Sequence, residues 1–148
     1  MLASIERPGI EDFLNYAAGA FECPMMLDYD MVNPTDPFGK MMVYNFKQRG
    51  VPLVGMGFFE SLDEIKGHLE QRGFQVELAH MRNMYYKHLD QKERQRIEKL
   101  EFLDELEEFW LLLEHYFMSL AKKPKSAAKK PGDLRFEVTE GVYLFYNN

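Results

Sequence analysis

The sequence has 148 residues and a mass of 17.5 kDa, with 46% hydrophobic residues, 28% charged residues and a net charge of −6. These values are typical of one folded domain and exclude a disordered chain. The acidic balance argues against nucleic acid as the main partner. No apolar run approaches the ~20 residues of a membrane span. The single cysteine, Cys23, excludes an internal disulfide framework, and the first residues lack a signal-peptide pattern, so we expect a cytoplasmic protein.

The first half of the sequence predicts alternating helices and strands. Apolar residues at three- and four-residue spacing indicate helices, and a stretch rich in proline, asparagine and glycine indicates a loop. Ser61 and Glu64 match a capping box, which begins a further helix that ends at Gly73. The other elements are a helix over 10–22, a strand over 25–30, a loop over 33–39, a helix over 38–48 and a short strand or extended connection over 51–59.

The second half predicts a strand, a long helix and a strand-rich terminus. Apolar side chains recur every three or four residues from Ile97 to Leu120, which indicates one amphipathic helix over 91–121, or two helices joined with a bend. Because helices and strands alternate along the chain, the predicted class is α/β. The remaining elements are a strand over 74–79, a short helical turn over 82–88, a solvated loop over 122–132 with five lysines, and one or two strands over 135–146.

No residue pattern in the sequence is specific for a catalytic or metal site. Gly55 and Gly57 lack the third glycine of a dinucleotide fingerprint, so we expect a turn there. The acids Glu101, Glu105 and Glu108 have helical spacing and are either paired functional carboxylates or a solvated helix face, which is the commoner use. No two histidines have the spacing of metal ligands, and we expect surface or helix-flank positions for His68, His80, His88 and His115.

Several blocks, taken in order, resemble the leucine carboxyl methyltransferase family. The most specific block is RIEKLEFLDE, from Arg96 to Glu105, which is followed by Leu112-Leu113-x-His115-Tyr116. The order and the spacing of the blocks agree with the family from about residue 10 to residue 121. The upstream blocks are Tyr29-Asp30-x-Val32-Asn33, Asp36-x-Phe38-Gly39-x-x-Met42, Leu53-x-Gly55, Ser61-Leu62 and Arg72-Gly73-Phe74.

The resemblance implies a fold, a cofactor and a partner. Members of this family have a Rossmann-like fold and use S-adenosylmethionine to methylate the C-terminal leucine carboxylate of type 2A protein phosphatase catalytic subunits. A sister branch acts in tRNA wybutosine synthesis. A carboxylate is already a nucleophile at pH 7, so the transfer needs alignment and exclusion of water rather than a general base. No metal and no membrane are implied.

The resemblance covers only part of the family's domain. It begins in the helix after the fifth strand, so the cofactor loop and the ribose-binding acid would lie before Met1. We therefore expect residues 1–148 to form one partial domain, a C-terminal half with the last two strands of the sheet, that does not bind S-adenosylmethionine alone. Asp30 and Met31 depart from the family's usual Glu and Gln. An open sheet edge predicts self-association or a need for the missing half.

Five residues are candidates for the substrate pocket, because they lie where a strand end meets a loop and such folds place ligands there. The competing interpretation is that Asp36 caps a helix and that Tyr29 is a core aromatic. A second hypothesis for the whole chain is a non-catalytic interaction module, in which the helix over 91–121 and the lysine-rich loop contact a protein. The candidates are Tyr29, Asp30, Asp36, Phe38 and Gly39.

Overall fold

The computed structural model describes residues 2–100, 104–124, 137–139 and 142–144, the last two ranges as backbone only. Helices and strands alternate along these residues, which confirms the α/β class. Three-residue 3₁₀ turns occur at Leu2–Ser4 and Met56–Phe58. The helices are α1 (Arg7–Ala20), α2 (Pro37–Gln48), α3 (Leu62–Glu70), α4 (Met81–Asn83), α5 (Gln91–Glu98) and α6 (Leu106–Glu114), and a π-helical turn (Met84–His88) follows α4. The strands are β1 (Met25–Met31), β2 (Gln75–His80), β3 (Tyr116–Lys122), β4 (Glu137–Thr139) and β5 (Val142–Leu144).

The main sheet has three strands in the order β1-β3-β2, so the last of them in the sequence lies in the centre. Strand β3 is antiparallel to both neighbours, with Met31 opposite Tyr116 on one side and His80 opposite Phe117 on the other. Strands β1 and β2 are therefore parallel to each other, and their carboxyl ends lie at the same edge. The resemblance implied two strands, and the structure has three. A separate antiparallel pair joins β4 and β5.

The prediction of one helix or two over 91–121 agrees with two helices as far as Glu114 and is wrong after it. Helix α5 ends at Glu98, α6 ends at Glu114, and the next seven residues form strand β3. The central strand of a sheet is hydrogen-bonded on both sides and covered on both faces, so its sequence is a nearly continuous apolar run. Such a run cannot be distinguished from a buried helix by periodicity. The first part of the predicted lysine-rich loop, Lys122, ends β3, and residues 125–132 lie outside the described residues.

The shorter elements follow the local signals. The Ser61 hydroxyl accepts from the Glu64 backbone N–H at 3.3 Å and begins α3, as the capping box predicts. The predicted helices over 10–22 and 38–48 and the strands over 25–30 and 74–79 are confirmed within three residues. Residues 51–59 are an extended connection with one 3₁₀ turn and contain no strand.

The core lies on one face of the sheet, and on the opposite face the side chains of β1 are exposed, whereas Leu120 of β3 is buried there. Phe117, Ser119 and Ala121 alternate along β3 and are almost completely buried, and α1 and α3 contribute Ile10, Leu14, Ile65 and Leu69 to the same core. On β1, the alternate residues Met25, Leu27 and Tyr29 are each more than half exposed. We call these three residues the open face of β1.

Candidate functional site

The carboxyl ends of β1 and β2 meet the start of β3 at one edge of the sheet. The backbone N–H of Val32, just after β1, donates to the His115 carbonyl at 3.0 Å. The Asn33 side-chain amide donates to the Glu114 carbonyl at 3.1 Å. These bonds tie the loop after β1 to the end of α6.

Asp36 and His115 are joined at this edge. The Asp36 side chain is the N-cap of α2, and its Oδ1 accepts from the Gly39 N–H at 2.7 Å. The same oxygen lies 2.9 Å from His115 Nε2. The competing interpretation of Asp36 as a cap is therefore correct. The expectation of a surface or helix-flank position for His115 is wrong, because its side chain is only 2% exposed.

Two hydrogen-bond acceptors flank the ring of His115. Its Nδ1 is 2.7 Å from the Leu111 carbonyl, which can only accept, so Nδ1 carries a proton. Its Nε2 faces the Asp36 carboxylate, which gives the buried ring a second polar contact. Partial burial raises the pKa of Asp36, but the hydrogen bonds from Gly39 and His115 outweigh it, so the pKa lies below its ordinary value.

Phe38 and Gly39 complete the packing around this pair. The Phe38 ring lies against the His115 imidazole with centroids 4.4 Å apart. A Cβ on Gly39 would come within 2.0 Å of the Asn33 carbonyl oxygen, so only glycine fits there. Asn33 itself has a positive φ of 60°. We call Asn33, Asp36, Phe38, Gly39 and His115 the loop brace, since they hold the loop after β1 against α6.

The other two candidates lie on opposite faces of β1. Asp30 is 1% exposed, and its two oxygens accept from the backbone N–H groups of Ala3 at 3.0 Å and Met31 at 2.9 Å. Tyr29 is on the opposite face of β1, is 52% exposed, and stacks on Tyr116 with centroids 5.5 Å apart. The interpretation of Tyr29 as a core aromatic is therefore wrong. The structure therefore brings together Asp36, Phe38 and Gly39 and places Tyr29 and Asp30 on different faces of the strand.

Asp28 is the acid with the most perturbed titration in this region. Burial, and then the nearby charge of Asp30, raise the pKa of Asp28 to about 6. It lies on the same face of β1 as Asp30, two residues away along the strand. The sequence did not predict this shift. An alternating strand normally buries its apolar residues, but in MMLDYDM the residues Met25, Leu27 and Tyr29 are exposed and the two acids lie on the buried face.

The glycine pair and the metal-ligating side chains can be located within the described residues. A Cβ on Gly55 would lie 2.3 Å from the Ile5 carbonyl oxygen, so this glycine packs against the N-terminal segment and does not cradle a ligand. The described part of the chain contains no cluster of three metal-ligating side chains. Glu105 precedes α6, Glu108 lies inside it, and Glu101 falls outside the described residues. Among the helices described, none is both long and apolar enough to span a bilayer.

Comparison with known proteins gives the class and then the family. No family model matches the chain. It is 36% identical over 112 residues to leucine carboxyl methyltransferase 1 of Bos taurus, 76% of this chain and 34% of that protein. It is 32% identical over 110 residues to leucine carboxyl methyltransferase 1 of Caenorhabditis elegans, 74% of this chain and 33% of that protein. It is 29% identical over 124 residues to tRNA wybutosine-synthesizing protein 4 of Homo sapiens, 83% of this chain and 18% of that protein.

These relatives and the α/β fold define a methyltransferase-type protein. The chain belongs to the leucine carboxyl methyltransferase family, as the motif blocks predicted. It spans about a third of the length of the leucine carboxyl methyltransferases it matches.

Proposed function

We propose that this chain is the substrate-side part of an S-adenosylmethionine-dependent methyltransferase with a Rossmann-like sheet. Its substrate is the C-terminal leucine carboxylate of type 2A protein phosphatase catalytic subunits. Catalysis requires a cofactor-binding part that the described residues do not supply. The leucine carboxyl methyltransferase relatives support the reaction.

One observation carries the proposal of a partial domain. The β1 strand is paired on one side within the described sheet, and its open face presents Met25, Leu27 and Tyr29 at 56%, 54% and 52% exposure. Apolar side chains at alternate positions of a strand normally face a covering layer. The open face of β1 therefore fits a sheet that continues, or is covered, in a larger assembly.

In the proposed reaction, this chain has only to position the substrate and exclude water. A leucine carboxylate is ionised at pH 7, so no residue here must remove a proton. The loop brace fixes the loop after β1 at the carboxyl edge of the sheet, where it can orient a bound peptide end and exclude water. In this proposal, Asp36, Phe38 and Gly39 shape the loop, and Tyr29 belongs to the face of β1 that the rest of the assembly covers.

The test separates cofactor binding from substrate binding. The 148-residue chain is titrated with S-adenosylmethionine by calorimetry, alone and mixed with the part of the Bos taurus relative outside the match. We expect no heat of binding from the chain alone and binding from the mixture, with methylation of the phosphatase catalytic subunit. Binding by the chain alone would contradict the assignment of the cofactor site to another part.

A second candidate function is a non-catalytic interaction module of the same family. It is favoured by the contacts of two carboxylates. Asp30 accepts from backbone N–H groups, and Asp36 contacts the Gly39 N–H and His115, so neither carboxylate is free for a substrate. A mixture that binds the phosphatase but neither binds the cofactor nor methylates the phosphatase would support this function. The tRNA wybutosine branch is a further alternative, supported by the human relative, and methylation of a tRNA in place of the phosphatase would identify it.

A further inference from the structure

A pocket of about 410 Å³ lies between the end of β2, the π-helical turn and α6. His80, the last residue of β2, is part of its lining, and the proposed function makes no use of the His80 side chain. In the sheet, His80 lies opposite Phe117 of β3, and Asp30 of β1 lies on the other side of Phe117. One wall of the pocket is a π-helix, a rare conformation that occurs frequently at functional sites.

One ring nitrogen of His80 is left without a hydrogen bond. Its Nδ1 is buried and has no partner within the described residues, and the side chain does not cap α4. Burial lowers the pKa of His80 below its ordinary value of 6.5, although a hydrogen bond with the Glu114 backbone and the charge of Glu114 oppose this effect. The ring is therefore neutral at pH 7, and Nδ1 is an acceptor that accepts from no described group.

The charged and titratable groups that face His80 come from the elements around the pocket. Arg82 of α4 and Lys87 of the π-helical turn line the pocket together with Glu114, the last residue of α6. His115, which follows Glu114, disfavours a positive charge on His80. Glu114 is the carboxylate of this group, and it forms an ion pair with Arg82.

Arg82 connects the Glu114 carboxylate to the aromatic wall of the pocket. Its guanidinium pairs with Glu114 and lies over the Trp110 ring, 5.1 Å from the ring centroid. The Trp110 Nε1–H donates to the Tyr86 hydroxyl oxygen at 2.6 Å, which fixes the indole in place. A movement of Arg82 therefore changes the surroundings of the Trp110 indole.

We propose that His80 is an acid-sensitive switch that competes with Arg82 for the Glu114 carboxylate. A proton taken up from solvent turns Nδ1 into a donor, and a buried charged donor requires an acceptor. Glu114 is the anionic acceptor beside it. When His80 is neutral, Glu114 holds Arg82 over Trp110. When His80 is protonated, the Glu114 carboxylate turns to Nδ1, and Arg82 is released into the pocket beside Lys87.

Trp110 reports this change directly, because it is the single tryptophan of the chain. The full chain, labelled with ¹⁵N and ¹³C, is titrated from about pH 8 to about pH 5, the range in which histidines change their charge. The indole N–H resonance of Trp110 and the ring C–H resonances of His80 are followed. We expect the two sets of resonances to titrate together, with a midpoint below 6.5.

A matched pair of histidine variants assigns the transition. His80→Gln removes the titrating group of the switch, and His88→Gln removes an exposed histidine from the end of the π-helical turn. We expect His80→Gln to abolish the indole transition and His88→Gln to leave it unchanged. An indole transition that persists in His80→Gln, or the absence of any indole transition in the unmodified chain, would overturn the proposal.

A second pair of variants tests the competition itself. Arg82→Gln leaves the Glu114 carboxylate free for His80, whereas Lys87→Gln removes another positive charge of the same pocket and leaves the ion pair intact. We expect Arg82→Gln to tighten proton binding by His80 about tenfold, since a free opposite charge favours the charged form. Lys87→Gln should have a clearly smaller effect, and equal effects of the two variants would contradict the competition. None of these results depends on S-adenosylmethionine.

Discussion

Replacing Asp36 by alanine measures how strongly the loop brace stabilises the fold. The substitution removes two contacts of one oxygen, the cap bond from Gly39 at 2.7 Å and the contact with His115 at 2.9 Å. Loss of an N-cap costs about 1 kcal/mol. Leaving buried His115 Nε2 unpaired costs a further 1–3 kcal/mol, roughly. Because the Asp36 side chain is 47% exposed, its charge adds little to this sum. We expect a loss of about 2–4 kcal/mol in the free energy of unfolding.

Urea unfolding of the 148-residue chain, followed by circular dichroism, tests this value against two controls. Asp90→Ala removes an exposed N-cap of α5 that bonds Lys92 N at 2.9 Å and has no histidine contact, so it should cost only about 1 kcal/mol. Asp36→Asn keeps Oδ1 as an acceptor and removes the charge, and should cost about 1 kcal/mol or less. If Asp36→Ala destabilises no more than Asp90→Ala, the contact with His115 does not stabilise the fold and the reasoning is refuted.

The pH dependence of the Asp36 effect has a defined sign. Its folded pKa lies below the ordinary value of 3.8, so its stabilisation is fully present above that value. The stabilisation is lost as the pH falls through the lowered folded pKa. The difference in stability between the unmodified chain and Asp36→Asn should therefore be constant from pH 5 to 7 and should narrow in acid.

Three further predictions concern β1 and the glycines. Asp28→Asn should raise the free energy of unfolding at pH 7 by up to about 3 kcal/mol, because the pKa of Asp28 in the folded chain is about 6 and exceeds its ordinary value of 3.8. Urea unfolding should show this gain in stability disappearing as the pH falls from 6 to 4. Gly39→Ala should lower the free energy of unfolding by more than about 2 kcal/mol, since the new Cβ meets the Asn33 carbonyl oxygen. Gly19→Ala has no atom within 4 Å of the new Cβ and should instead stabilise α1 by about 0.5–1 kcal/mol. Thermal unfolding of the two variants distinguishes these outcomes. Leu27→Lys should reduce self-association in sedimentation, and a monomeric parent chain at micromolar concentration would contradict the proposed contact surface.

The sequence predicted the elements that depend on local signals. The cap at Ser61, the loop after β1 and the boundaries of α2 follow from residues within a few positions of each other. Strand β3 could not be predicted in this way, because its structure depends on pairing with β1 and β2, which are distant in the sequence. Periodicity alone favoured a helix there.

The candidate site was predicted only in part. The residues Asp36, Phe38 and Gly39 were selected from a family motif, and the structure brings them together around His115. The position of His115 was missed, since a lone histidine at the end of a helix is usually exposed. Its apolar neighbours on both sides, Leu111–Leu113 and Tyr116–Phe117, were the available signal for burial. The pocket around Trp110 depends on three elements and has no local pattern.

The central position of β3 also governs when this chain can fold during synthesis. Strands β1 and β2 do not pair with each other in the described sheet, and each is hydrogen-bonded to β3. A growing chain therefore completes both of the earlier strands before their common partner has left the ribosome. Pairing of distant segments is slow, so β1 and β2 remain unpaired until β3 has been synthesised. Their apolar side chains make this interval the time at which the nascent chain is most exposed to aggregation and most in need of chaperones.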